Sequence, residues 1–150
     1  MPDLLVIGYG NELRGDDAAG PHVAAAVAGW RLPGVQTQVC HQLTPELAEP
    51  IAAARRVVFV DAALKALTPT VQVRRIEPGG SGPGLAHTGH PAWLLGLTWM
   101  AFGKCPPAWW VTVPAEEFEF GQGLSENAQR GVATAVDEVR KICASPDTQR

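Results

Sequence analysis

The feature that most constrains the fold is a strand that runs into a glycine-containing turn and then into a helix. Residues 4–7 are consecutive leucine, valine and isoleucine, typical of a buried strand, and the run breaks at two glycines. Asp16 and Asp17 follow, and an alanine-rich segment predicts a helix over residues 18–30. This order places the turn at the carboxyl edge of a sheet, where open α/β sheets bind ligands against a helix amino terminus.

The two adjacent aspartates restrict what such a turn can bind. Phosphate is the usual ligand of a glycine turn at a helix start, but two carboxylates there would repel it. Either Asp16 or Asp17 could cap the helix and complement its dipole. Since one aspartate suffices for a cap, the second indicates another role, such as binding a cation or handling a proton.

The next segments extend the pattern to βαβαβ. Residues 35–40 alternate as a second strand, and a helix with Thr44 as its N-cap ends near residues 55–56. A continuous apolar run then predicts a strand buried on both faces that ends at Asp61. Right-handed crossovers favour a parallel sheet with the first and third strands adjacent, so Asp17 and Asp61 should converge at one edge.

The fourth strand and the segment after it depart from this repeat. Too few residues separate Asp61 from a predicted strand at 71–76 for a helical crossover, so that strand should run antiparallel to the third. The following segment, residues 77–90, is glycine- and proline-rich and has no periodicity. It contains His87 and His90, and we expect it to return a histidine to the carboxyl edge.

Three further elements complete the chain. A helix opens at Pro91 and ends at Gly103, and a fifth strand over residues 109–113 is expected to stop at Pro114. Ser125 is the predicted N-cap of the last helix, which has an apolar stripe on one face.

Composition narrows the class of protein. With 150 residues, 46% of them hydrophobic, the chain fits a single domain over residues 1–144 with a disordered tail at 145–150. A net charge of −3 and a pI near 5.8 offer no basic face for nucleic acid. No apolar run reaches membrane-spanning length, and we expect neither a signal peptide nor an anchor. Cys40, Cys105 and Cys143 lack metal-binding spacing and indicate a reducing cytoplasm.

A small set of polar residues could carry chemistry. Asp17, Asp61 and one of His87 or His90 would supply two oxygens and one nitrogen, a set that suits divalent transition metals. The competing interpretation is that these residues are helix caps and ordinary loop groups. Nucleophilic catalysis is poorly supported because Ser125 lacks a nucleophile-elbow pattern.

A nucleotide-binding role is a weaker alternative. Gly8-x-Gly10 lacks the third glycine of the dinucleotide fingerprint, because Leu13 stands in that position. No Gly-Lys-Ser/Thr follows either, which excludes a P-loop.

Taken together and in order, the motifs resemble those of the hydrogenase maturation proteases, endopeptidases that trim the large subunit of NiFe hydrogenases. The resemblance covers nearly the whole chain, and the ordered set is far more specific than any single motif. The matching segments are Gly8-x-Gly10-Asn11-x-x-x-x-Asp16-Asp17-x-x-Gly20, His41-Gln42-Leu43-Thr44-Pro45-Glu46-Leu47, Val57-Val58-Phe59-Val60-Asp61-Ala62, His87-x-x-x-Pro91-x-x-Leu94-Leu95, Pro107-Ala108-Trp109 and Phe120-Gly121-x-Gly123-Leu124-Ser125.

The resemblance implies a three-layer α/β/α sandwich with a nickel site. In the family the acidic residue of the first turn, the strand-end aspartate and a loop histidine bind nickel, and these match Asp17, Asp61 and His87. His87 is preferred to His90 because its spacing to the next helix follows the family pattern. The nickel would belong to the precursor of the large subunit, from which the enzyme cuts a carboxyl-terminal extension, so no permanent cofactor is expected. Asp16 is a candidate general base or a residue that supports the metal ligands, and Asp17 could share the catalytic role.

Three further residues are candidates for contacting the ligands: Asn11, His41 and His90. The sequence departs from the family at two positions. Ala18 replaces a common glycine, and His41 stands where some members have an aspartate. An alternative with the same fold is a non-catalytic metal-binding checkpoint or chaperone in hydrogenase assembly.

Overall fold

The computed structural model describes residues 1–79 and 90–145, and within them a single five-stranded sheet carries four α-helices. Predictions for His87 and for the tail from residue 146 onward fall outside the described residues. The strands are β1 (Leu4–Tyr9), β2 (Val35–Cys40), β3 (Val57–Leu64), β4 (Gln72–Ile76) and β5 (Ala108–Ala115). The helices are α1 (Ala19–Ala28), α2 (Ala48–Ala53), α3 (Pro91–Phe102) and α4 (Glu126–Ala144), with short 3-10 turns at Gly15–Ala18 and Pro45–Leu47.

The sheet has the order β2-β1-β3-β5-β4, in which only β4 is antiparallel to its neighbour. The predicted adjacency of the first and third strands is confirmed, with Gly8 of β1 opposite Val60 of β3. β4 runs against the direction of β3, as predicted, but it pairs with β5, which lies between them. The predicted α/β fold with one antiparallel strand is therefore confirmed.

The ends of β3 and β5 differ from the predicted bounds. β3 continues past Asp61 to Leu64, and β5 continues through Pro114 to Ala115, because these ends pair with each other. The prediction that Pro114 stops the strand is wrong. β4 covers β5 only as far as Thr112, so the missing N–H of Pro114 lies where β5 has no neighbour on that side.

The helix starts agree with the sequence in most places. Ser125 is an N-cap, as predicted, since its hydroxyl accepts from the Ala128 N–H at 3.1 Å. Pro91 opens α3, and Gly103 caps its carboxyl end in the left-handed region with φ +70°. Thr44 is the exception, because it precedes the turn at 45–47 in an extended conformation without a side-chain capping hydrogen bond.

The helices form a layer on each face of the sheet, which completes the predicted three layers. α1 contacts α4 on one face, and α2 contacts α3 on the other. Trp109 and Trp110 point to opposite faces, since Trp109 packs against the core beneath α1 and α4 and Trp110 against the core beneath α2 and α3. The three cysteines are free thiols. Within the described residues, no helix has both the length and the hydropathy to cross a membrane.

Candidate active site at the carboxyl edge of the sheet

The turn between β1 and α1 is shaped by glycines at which a side chain would not fit. Gly10 has φ +146°, and a Cβ there would overlap the carbonyl oxygen of Asp17. A Cβ on Gly20 would overlap the Val60 carbonyl oxygen and lie 2.7 Å from that of Tyr9. The start of α1 can therefore lie directly against the ends of β1 and β3. Ala18, the residue in place of the family glycine, has φ −80° and fits without strain.

Asp17 is held at this edge by the turn itself. Its Oδ2 accepts from the backbone N–H of Asn11 at 2.7 Å, and the Asn11 side chain closes the turn by accepting from the Leu13 N–H at 2.9 Å. Asn11 thus contacts a predicted ligand through its backbone. The interpretation of Asp16 or Asp17 as a helix cap is wrong, because neither side chain makes a capping hydrogen bond.

Asp61 lies on the neighbouring strand, in a largely buried position. Its Oδ1 accepts from the N–H of Ala62 at 2.8 Å. Burial raises the pKa of this carboxyl from 3.8 to about 7. The Ala62 hydrogen bond and the contact with the Tyr9 hydroxyl lower the pKa, and the charge of Asp17 raises it. Asp17 and Asp61 are 44 positions apart in the chain, but both follow the carboxyl ends of the adjacent strands β1 and β3, so the charge of one acts on the other.

Asp16 has a different environment and is fully buried. Its Oδ1 accepts from the Ser125 N–H at 2.7 Å, and its Oδ2 accepts from the Ser125 hydroxyl at 2.8 Å. Oδ2 also accepts from the N–H groups of Glu116 and Glu117 at 2.9 and 3.1 Å. Burial would raise the pKa of Asp16, but these hydrogen bonds outweigh it and the pKa is lowered. Asp16 therefore ties the first turn to the β5–α4 loop, and its role as a general base stays a prediction.

The histidines contribute less to the described part of this edge. His90 caps α3, since its Nδ1 accepts from the Ala92 N–H at 3.0 Å, and its ring lies edge-on to Trp110 at 5.0 Å. His41 is exposed in the loop after β2. His87 lies outside the described residues. Within residues 1–79 and 90–145, no three His, Cys, Asp or Glu side chains are close enough to hold a metal ion.

Two residues of this region had no predicted part in the site. Tyr9, the last residue of β1, lies beside Asp61 with its side chain buried, and Ser125 holds Asp16 besides capping α4. The alternation of side chains along β1 could have predicted which face of the sheet Tyr9 lies on at the end of the strand. No local pattern relates Ser125 to Asp16, because 109 positions separate them.

The architecture and the candidate site define an α/β/α protein with an acidic edge at the first βα turn. Solved structures with this fold include hydrogenase maturation proteases. HybD from Thermococcus kodakarensis superposes with a TM-score of 0.73 at 22% identity, over 95% of this chain and 99% of that one. The maturating endopeptidase HybD from E. coli gives 0.75 at 21% identity, over 95% of this chain and 91% of that one. HycI from T. kodakarensis gives 0.72 at 20% identity, over 95% and 92%.

Comparison of the sequence with protein families and curated proteins finds no relative. No protein-family model matches the chain, and no curated protein matches it in sequence. The chain therefore has the fold of the hydrogenase maturation proteases over nearly its full length.

Proposed function

We propose that this protein is an endopeptidase that removes a carboxyl-terminal extension from the nickel-loaded precursor of a NiFe-hydrogenase large subunit. The observation that carries this proposal is the pairing of Asp17 with Asp61 at the carboxyl edge of a fold shared with such proteases. The charge of Asp17 adds to the burial that disfavours an ionised Asp61 in the free protein, and a cation brought by a partner would offset that charge. Free thiols at all three cysteines fit a cytoplasmic protein.

The nickel ion is part of the substrate in this proposal. Asp17 and Asp61 would each give an oxygen ligand, and His87 would give a nitrogen, a mixed set suited to divalent transition metals. His87 precedes the described His90 by three residues, which span at most ~10 Å of extended chain. His90 itself packs on Trp110 at the face that Asp61 shares, so this reach is compatible with a ligand at the edge.

The chemistry follows from the position of the ion next to the peptide to be cut. Nickel would polarise the scissile carbonyl or lower the pKa of a water molecule, which then attacks the carbonyl carbon. The amide bond breaks, and the proton from water passes to the leaving amine. Asp17 is better suited than Asp16 to contact this water, because all the hydrogen bonds to the Asp16 carboxylate already hold the β5–α4 loop.

The direct test compares two forms of one precursor. The protein is incubated with nickel-loaded and nickel-free large-subunit precursor, and the release of the extension is followed by mass spectrometry. We expect cleavage of the loaded form and none of the nickel-free form. Equal cleavage of both forms would exclude a role for the ion in recognition.

Matched variants connect this activity to the proposed ligands. Asp17→Asn, Asp61→Asn and His87→Ala should each reduce the cleavage rate by a factor of about 100 or more. Asp137→Asn and His22→Ala change the same residue types at exposed positions of α4 and α1 and should leave the rate unchanged. Binding of the loaded precursor without cleavage by the wild type would favour the non-catalytic checkpoint role instead.

A further inference from the structure

Tyr9 ends β1 at the point where the sheet meets the candidate site. The register pairs Ile7 with Phe59 and Phe59 with Trp110. Side chains two residues apart on a strand share a face, so Tyr9 and Asp61 lie on the same face as Trp110. Tyr9 is only 6% exposed and belongs to the core beneath α2 and α3.

Two hydrogen-bond donors are buried in this region without a partner of hydrogen-bonding geometry among the described residues. They are the Tyr9 hydroxyl and the indole N–H of Trp110. Buried tyrosine and tryptophan donors normally have partners, because an unpaired buried donor destabilises the folded state. These two therefore require an explanation beyond packing.

The surroundings of the Tyr9 hydroxyl identify the groups it can bond. Burial raises its pKa well above the ordinary value, and the charge of Asp61 and contact with its carboxylate raise it further. Contact with the Trp110 indole lowers it. The hydroxyl thus lies between a donor and an acceptor. An indole can only donate and a carboxylate can only accept, whereas a hydroxyl can do both.

We propose that Tyr9 is a positioning residue for Asp61: its hydroxyl accepts from the Trp110 indole N–H, donates to the Asp61 carboxylate, and fixes the rotation of that carboxylate at the site. This order satisfies both unpaired donors and uses the hydroxyl as acceptor and donor at once. Oδ1 of Asp61 is already held by the Ala62 N–H, so a second donor would leave the carboxylate a single orientation.

The inference rests on the proposed function only for what Asp61 does, and the contacts themselves can be tested without activity. Tyr9 is the sole tyrosine of the chain, so tyrosine labelled with ¹³C at Cζ gives one resonance. At fixed pH we expect Asp61→Asn and Trp110→Phe each to shift that resonance, and Asp137→Asn on the exposed face of α4 to leave it in place. A resonance unmoved by Asp61→Asn or by Trp110→Phe would overturn the proposed pair of hydrogen bonds at the Tyr9 hydroxyl.

Activity on the nickel-loaded precursor tests the positioning role. Tyr9→Phe, which keeps the ring, should lower kcat about tenfold or more with KM unchanged, as loss of a group supporting a metal ligand does. Trp110→Phe should lower kcat less, and the double variant should match Tyr9→Phe alone, because Trp110 acts through Tyr9. An unchanged kcat in Tyr9→Phe, or additive losses in the double variant, would overturn the positioning role. If the wild type cleaves nothing, the proposed function fails. The resonance measurement still shows whether the Tyr9 hydroxyl bonds to Trp110 and Asp61.

Discussion

The carboxylate of Asp16 receives two hydrogen bonds from Ser125, one from the backbone N–H at 2.7 Å and one from the hydroxyl at 2.8 Å. The same hydroxyl accepts from the Ala128 N–H and so begins α4. Asp16 therefore connects the first turn of the chain with the start of its last helix. This connection fixes the β5–α4 loop against the first turn and explains why a second aspartate follows the glycine turn.

Removing the Asp16 carboxylate should mainly affect stability. Asp16→Ala leaves three backbone N–H groups without their acceptor, and we expect the free energy of unfolding to fall by ~3 kcal/mol or more. Ser125→Ala should lower it by only ~1 kcal/mol, as for a lost N-cap. Urea denaturation measures both. Asp17→Asn is the comparison variant, and we expect it to lose cleavage activity with little change in stability. Loss of cleavage in Asp16→Asn at unchanged stability would instead favour Asp16 as the general base.

The raised pKa of Asp61 predicts how the stability of the metal-free protein depends on pH. Below pH 3.8 the carboxyl is protonated in both the folded and the unfolded states, and it has no effect. Between 3.8 and about 7 the folded state retains a proton that the unfolded state has lost. Stability should therefore fall by ~1.4 kcal/mol per pH unit from this group as the pH rises through that range.

Asp61→Asn isolates this contribution. The variant should lack this part of the slope and should be more stable than the wild type at alkaline pH, as measured by urea denaturation across a pH series. Asp137→Asn, on the exposed side of α4, should retain the wild-type slope. The same slope in Asp61→Asn as in the wild type would show that Asp61 is not the group responsible.

Close approach of α1 to the strands predicts a steric effect at Gly20. A Cβ there would overlap the carbonyl oxygen of Val60, so Gly20→Ala has to move α1 away from the sheet. We expect a loss of ~3 kcal/mol or more in the free energy of unfolding. Gly123→Ala is the control, because a Cβ at Gly123 meets nothing within 4 Å, and it should change stability by less than ~0.5 kcal/mol. Thermal denaturation distinguishes the two, and equal behaviour would contradict the packing described.

Two adjacent arginines just before β3, at the edge of the sheet opposite the candidate site, should differ in their contribution to stability. Arg56 is 7% exposed, and its guanidinium donates to the carbonyls of Ile142 and Ser145 at 2.6 and 3.1 Å, at the end of α4. Lysine cannot reproduce this fork, so Arg56→Lys should cost ~2 kcal/mol and increase hydrogen exchange in the last turn of α4. Among the described residues, the side chain of Arg55 forms an exposed ion pair with Asp3 and no other ion pair, so Arg55→Lys should cost less than ~0.5 kcal/mol.

Much of this fold could be predicted because its signals are local. The apolar runs at residues 4–7 and 57–60 predict two central strands, and the helical connections predict that these strands are parallel. The continuation of β3 beyond Asp61 could not be predicted in this way. It depends on pairing with β5, in which Ala63 lies opposite Pro114, and that is a contact between distant segments.

In the candidate site, too, topology predicts some of the contacts, and others depend on distant segments of the chain. Asp17 and Asp61 could be brought together from topology alone, because the ends of adjacent parallel strands meet at one edge. The function of Asp16 could not be predicted, since its partners come from the β5–α4 loop. Tyr9 was missed because a tyrosine in an apolar strand is ordinarily core material, and only the neighbouring strand shows that its hydroxyl faces Asp61.

X-ray absorption at the nickel K edge tests the central claim most directly. The spectrum of the nickel-loaded precursor is recorded alone and in complex with the wild-type protein or Asp61→Asn. We expect the wild-type complex to gain oxygen or nitrogen ligands at the ion, and the Asp61→Asn complex to gain fewer. A nickel environment that is identical in the free precursor and in the wild-type complex would contradict the account, because Asp17 and Asp61 would then not be ligands of the substrate's ion.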